Sequence, residues 1–298
     1  MIAKRKTKAD IIFDAVNLVI LVLLGLIVLY PLYFVVIASI SDPNFVNRGQ
    51  VILVPKGVTL LGYTKLFQDS MIWVGYRNTF FYTLVGTTLD VVVTVCAAYA
   101  LSRRDLVGRK GIMAYFVFTM YFSGGLIPLF VQVNNMGLYN TRWILIILGM
   151  VSVYNLIIAR TFFETTIPWE LLEAAKIDGC SDLRFFSSVA IPLSHAVIAV
   201  LVVYYGVGRW NQYFNALIFV SKQDYYPLQI VLREILIQSR QAEAVVSEGQ
   251  IQELMERNKY AELIKYGVIV VSSLPVMILY PFAQKFFVKG VMLGAVKG

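Results

Sequence analysis

Residues 12–38 read IFDAVNLVILVLLGLIVLYPLYFVVIA, an apolar run broken by a single acid, Asp14, and a single proline, Pro31. About 20 such residues reach across the hydrocarbon core of a bilayer as a helix, so this stretch reads as a membrane span. Lys4, Arg5, Lys6 and Lys8 precede it, as basic residues precede a secretory signal. The apolar part is far longer than the roughly 7–15 residues of a cleaved signal core, and the span is read as retained. Five more stretches qualify, at about 76–101, 112–133, 143–163, 196–220 and 264–288. Backbone groups in lipid must pair within their own segment, and these runs lack the polar–apolar alternation of barrel strands. The expected fold class is therefore an all-α membrane protein with six transmembrane helices.

Composition points the same way. Of 298 residues, 58% are hydrophobic and 15% charged, against about 45–50% and about 25% in soluble domains; mean hydropathy is +0.71. The formal charge of +8 does not imply nucleic acid, because the basic residues flank apolar runs instead of forming one face. They read as topology signals. The N-terminal Lys/Arg group, then Arg103, Arg104, Arg109 and Lys110, then Lys289 and Lys297 fall on one side of a six-span chain. The 134–142 connection carries only Arg142. By the positive-inside rule both termini are cytoplasmic. Cys96 in an apolar run and Cys180 in a cytoplasmic loop are expected to be reduced. No linker marks a second domain, so 1–298 is read as one transmembrane domain.

Three segments outside the spans are long enough to matter: about 41–75 and 221–265 on the external side, and 164–195 in the cytoplasm. Residues 241–263, rich in Glu, Gln and Ala, read as an exposed helix. The external 221–265 segment is either a docking surface for another protein or a solvated loop. In the cytoplasmic segment, residues 167–182 read IPWELLEAAKIDGCSD. Pro168 suits a first helical turn, Glu170 and Glu173 suit its dipole, and Gly179 suits its end. Asp182 is expected to cap a second short helix through Phe186, and Pro192 marks the return to the membrane. Small Ala174 and Ala175 would permit close approach by another protein. From the residues alone this is either such a docking helix or an ordinary interfacial one.

The fifth span holds Arg209, Trp210, Asn211, Tyr213 and Asn215. Either they line a wet path, where amides and guanidinium bond solute hydroxyls and rings cover C–H faces, or they form an interfacial belt with Arg209 snorkelling outward. Asp90 is the clear acid inside a span, either a functional candidate or a residue with a structural partner such as a neighbouring-helix hydroxyl. Gly124, Gly125 and Pro128 interrupt the third span, as a pathway element or a packing kink. Catalytic chemistry finds no footing. His195 beside Ser194 is not a triad, no cluster has metal spacing, and no phosphate loop is present. A secondary carrier would normally show a repeat across two halves, and none is seen.

Glu173-Ala-Ala-Lys-Ile-Asp-Gly179, followed by Ile191-Pro192-Leu193, resembles the EAA loop of permease subunits in binding-protein-dependent ABC importers. Cys180 departs slightly from the usual alanine, and Ile191 from the usual leucine. The likeness runs along the chain, through 97–103 with Gly108-Arg109, through 160–171, and through 209–217, which resembles the fifth span of the carbohydrate, maltose-type branch. Tyr30-Pro31, 75–79, 123–128 and 289–298 resemble the sub-branch for complex oligosaccharides and polysaccharide fragments.

The resemblance implies a type I importer permease fold in the bacterial cytoplasmic membrane, with no catalytic residue and no metal. It implies ATPase coupling through Glu173, Ala174, Ala175, Asp178, Gly179 and Pro192. ATP and magnesium would be bound by a dimer of partner ATPase subunits, which the 290–298 tail would also reach. A second, different permease and an extracellular solute-binding protein would complete the assembly. The alternatives are a permease for a non-carbohydrate solute, a stand-alone secondary transporter, or a membrane enzyme.

Overall fold

The computed structural model describes residues 7–244, 264–278 and 280, and no strand occurs among them. The longer helices are α1 (Lys8–Ser39), α2 (Ser70–Ser102), α3 (Arg109–Tyr121), α4 (Leu126–Asn135), α5 (Val153–Thr166), α6 (Trp169–Ile177), α7 (His195–Trp210) and α8 (Leu228–Ala244). A further apolar helix, α9, covers Ile264–Ile278. Most of the expected 241–263 helix, the end of the sixth span and the 290–298 tail lie outside the described residues. The chain divides into two compact units, Met1–Asp69 with Glu234–Ser273, and Ser70–Arg233 with Leu274–Gly298.

In the first unit, Thr7 and Asp10 form a reciprocal capping box that satisfies the first amides of α1. Only Ile37, Ala38 and Ser39 of its 32 residues are buried. An apolar helix so exposed has lipid, not protein, as its natural solvent. Its C-terminal end is tied down where Ser39 Oγ meets Tyr63 Oη at 2.7 Å and Tyr33 Oη donates to the Leu53 carbonyl.

In the second unit α2 is the central rod, packed along α5 and α7. Toward its C-terminal end, Val95, Ala98 and Leu101 form one core with Leu156, Ala159 and Phe163 of α5 and with Val197, Leu201 and Tyr205 of α7. Toward its N-terminal end, Tyr82 joins Ile144–Ile146 and Phe219 in a second core. There Asn78 Nδ2 donates to the Asp224 and Tyr226 carbonyls at 2.7 and 3.0 Å, and Thr79 Oγ1 accepts from Leu228 N at 2.8 Å.

α1 and α2 are each long and apolar enough to cross a bilayer. The third stretch is a broken pair, α3 and α4, meeting at 114° around residues 122–125. The fourth is a short helix, Ile144–Ile147, followed by non-helical residues 148–152 and then α5. The fifth enters α7 through a 78° bend at Ser194 and ends at Trp210, with a further short helix at Phe214–Phe219.

Candidate functional site

The 164–195 segment is built around α6. Pro168 is its N-cap, one position before the first turn, and Lys176 stands in its last turn. Gly179 ends it at φ +75°, in the left-handed region that a Cβ disfavours. Cys180 N donates to Ala175 O at 2.8 Å and Gly179 N to Lys176 O at 3.0 Å. This crossed pair is the Schellman arrangement that closes a helix on its own last carbonyls. Leu172 is buried and Ala175 packs against the same core, so α6 is seated by one face. Glu170, Glu173, Ala174 and Ile177 recur at helical spacing on the exposed face; of the two alanines, only Ala174 is presented outward. Trp169 Nε1 donates to Glu173 Oε1 at 2.7 Å.

The second short helix, Asp182–Phe185, is capped by Ser181, whose side chain accepts from Arg184 N. This corrects the expectation that Asp182 is the cap. Asp182 is instead the first helical residue and turns its carboxylate to Arg103 Nη1 at 2.9 Å. Arg103 Nε also donates to Asp105 Oδ1 at 2.8 Å, and Lys176 Nζ lies 3.7 and 3.8 Å from Asp105 and Asp182. Hydrogen bonding to Arg103 pulls the Asp105 carboxyl down to about 2, and Asp105 in turn raises the Arg103 guanidinium above its ordinary value. Arg160 bridges Glu164, at 2.7 Å, and the Leu101 carbonyl, at 3.1 Å. The loop is thus fastened to the end of α2 and to the connection that follows it. Asp178 caps α6, and Pro192 lies exposed in the turn Ile191–Leu193 before the bend.

A second site lies midway along α2. Arg209 donates through Nε to Asp90 Oδ2 at 2.8 Å and through Nη2 to Asp90 Oδ1 at 2.7 Å. Its remaining N–H groups reach the Leu145, Ile146 and Leu148 carbonyls at 2.7, 2.8 and 3.2 Å, and Gln212 Oε1 at 3.4 Å. These are carbonyls at the end of the interrupted fourth span, which no further helical turn satisfies. A guanidinium offers five donors and no acceptor, and here all are engaged. Gly86 makes the approach possible, since a Cβ there would stand 3.0 Å from Arg209 Nε.

Beside this pair opens a cleft of about 440 Å³, walled among others by Asn155, Tyr204, Tyr205, Asn211, Gln212, Tyr213 and Asn215. Tyr205 Oη pairs with Thr94 Oγ1 at 2.7 Å and accepts from Ser152 N at 3.1 Å. Arg209, Asn211, Tyr213 and Asn215 all border the cleft; Trp210 does not. Trp210 is 3% exposed and packs edge-on against Phe80, ring centres 5.2 Å apart. Among the described residues no cluster of His, Cys, Asp and Glu could hold a metal ion.

A family model described as the inner membrane component of binding-protein-dependent transport systems matches residues 72–293. The chain belongs to that family. Its similarity extends over whole relatives. The polygalacturonan/rhamnogalacturonan transport system permease protein YtcP of Bacillus subtilis (strain 168) is 38% identical over 291 residues, 96% of this chain and 99% of YtcP. LplC of the same organism is 36% identical over 292 residues, 98% and 97% of the two chains. A chain from the crystal structure of a bacterial ABC transporter involved in the import of the acidic polysaccharide alginate superposes with a TM-score of 0.84 at 32% identity. That match covers 96% of this chain and all of the other.

As an inner-membrane permease of this family, the chain is the non-catalytic membrane component of an importer. Two features of its site escape a reading of the sequence. The Asp90–Arg209 pair joins residues 119 positions apart, although a lone acid and a lone base in separate spans are a signal for such pairing. Asn155 sits in an apolar stretch, Val153 to Ile158, with no pattern to mark it.

Proposed function

We propose that this permease carries an oligosaccharide or polysaccharide fragment inward by alternating access, driven through α6 by a separate ATPase dimer. The observation that carries the reading is the construction of the 164–195 segment. One face of α6 is seated on the α2–α5–α7 core, its end is locked at Gly179, and Glu170, Glu173, Ala174 and Ile177 face outward. A helix held this firmly moves as a lever, and its outward face is free for a partner. The fastening of Asp182 to Arg103 adds the end of α2 to the moving body. Packed interfaces switch between discrete arrangements and do not deform continuously, which suits such a lever.

In this reading the chain spans the cytoplasmic membrane six times with both termini inside, so the basic 103–110 connection and α6 share the cytoplasmic face. The sugar assignment draws on YtcP and on the alginate importer, and on the cleft beside Arg209, whose amides and tyrosines suit hydroxyl-rich solutes. A second permease, different from this one, completes the path. An extracellular solute-binding protein delivers the sugar, with 221–265 as its docking segment.

The test is reconstitution of the permease pair, ATPase and solute-binding protein in vesicles. Sugars that load the binding protein are expected to stimulate ATP hydrolysis and to accumulate inside. Uptake without the ATPase, or Ala174→Trp leaving ATP-driven uptake at the wild-type rate, would refute the coupling assignment.

A further inference from the structure

Among the amides that border the cleft beside Arg209, Asn155 and Gln212 have hydrogen-bonding capacity that the protein leaves unused. Asn155 is 6% exposed and borders the cleft. Its backbone N–H donates to Ser152 Oγ at 3.4 Å, but its side-chain amide has no partner among the described residues. Gln212 is the second. Arg209 has only donors to offer, so the Gln212 oxygen must be the atom that faces it. The amide nitrogen is therefore turned the other way, and it is buried without a partner. Buried amides are almost always satisfied, and one that is not calls for an explanation.

The charge in the cleft is fully committed. Arg209 and Asp90 neutralise one another, and every guanidinium donor is used, so among the described residues that line the cleft no free cation is left to select an acidic group. What the cleft offers a solute is amide N–H and C=O and tyrosine hydroxyls, together with the ring of Tyr213, which is 47% exposed. A volume of about 440 Å³ falls within the roughly 300–1,000 Å³ of small-molecule sites.

We propose that Asn155 and Gln212 form an amide subsite that grips ring hydroxyls of one sugar unit of the transported chain, without regard to its charge. Asn155 is the residue that determines specificity, through one hydrogen bond to a ring hydroxyl. Gln212 is oriented by Arg209 and adds a donor as the walls of the cleft move. The inference rests on the sugar-import reading above.

The test uses the complete reconstituted transporter and three probes. These are an α-1,4-linked galacturonate trimer, its carboxyl-reduced galactose counterpart, and monodeoxy forms of the latter. At saturating binding protein, Asn155→Leu is expected to slow uptake of both trimers equally, by about tenfold, the effect of one hydrogen bond to a buried group. One monodeoxy probe should be slow with the wild type and no slower with Asn155→Leu, since a contact removed from either side is lost only once. Asn155→Leu importing every probe at the wild-type rate, or its losses multiplying with those of every deoxy probe, overturns the subsite and leaves sugar import standing. A loss confined to the galacturonate trimer overturns the charge-blind recognition. Should Asn155→Leu not assemble with its partners, Asn155→Ser enters the same comparison. A wild-type complex that imports none of the probes removes the sugar reading, and the subsite with it.

Discussion

Arg209 and Asp90 meet through two parallel hydrogen bonds of 2.8 and 2.7 Å, with side-chain exposures of 6% and 0%. The pair closes a gap in the fold as well as a gap in charge, because the same guanidinium caps the carbonyls on which the fourth span breaks off. Breaking a buried pair on one side costs about 3–5 kcal/mol, mostly from the charge left behind. Asp90→Asn and Arg209→Gln are each expected to lower the Tm of the purified complex by several degrees. The double replacement should recover part of that loss, since it leaves no unpaired charge. Tm values that simply add would show that the two residues do not act as a pair.

Gly86 is expected to tolerate no side chain. The guanidinium is held at every N–H and cannot step aside for a methyl group whose carbon would lie 3.0 and 3.1 Å from Arg209 Nε and Cδ. Gly86→Ala should therefore destabilise the complex by about 1–3 kcal/mol, the usual cost of overpacking. In an Arg209→Gln background the same change should cost much less, which thermal melts of the four proteins would reveal.

Gly179→Ala places a Cβ at φ +75°, a strain of roughly 1–2 kcal/mol. The expected result is a frayed end to α6. Hydrogen exchange at the Cys180 amide, which holds Ala175 O, should quicken by about an order of magnitude. Gly179→Asn should exchange more slowly than Gly179→Ala, because asparagine enters the left-handed region more readily.

The Arg103–Asp105 contact should resist acid. Arg103 holds the Asp105 carboxyl at about 2, below the ordinary value of about 3.9. A carboxyl depressed on folding contributes stability above its unfolded pKa and loses it as pH falls through the folded one. The Tm difference between wild type and Asp105→Asn should thus be constant from pH 5 to 8 and shrink from about pH 4 towards 2. A difference already fading at pH 6 would mean that the contact is not formed in solution.

The two longest helices were readable from composition because lipid exposure asks for nothing more than a long apolar run. The end of α6 was readable because Gly179 carries its conformation with it. The break in the third stretch was marked by Gly124, Gly125 and Pro128; the break in the fourth was harder, since it depends on a group distant in sequence. The Leu145, Ile146 and Leu148 carbonyls leave their helix and are received by Arg209. The cap of the second short helix is read from the sequence as Asp182, but the adjacent Ser181 fills that position while Asp182 pairs with Arg103. The sequence groups Trp210 with Arg209 and Asn211, as wall of a wet path or as part of an interfacial belt, yet successive helical residues point some 100° apart, and Trp210 packs buried against Phe80.

Between the lever and the cleft lies the π-helical turn Phe186–Ala190, where Ile191 N–H reaches back five residues to Phe186 O. Such a turn houses one residue more than an α-helix would. Removing that residue would restore regular winding and leave the two flanks in nearly the same angular phase, because the wider turn already takes up the extra rotation of about 100°. A surplus amino acid near the cytoplasmic loop is thereby absorbed within one turn, and the direction in which α7 enters the bundle is left to the bend at Ser194.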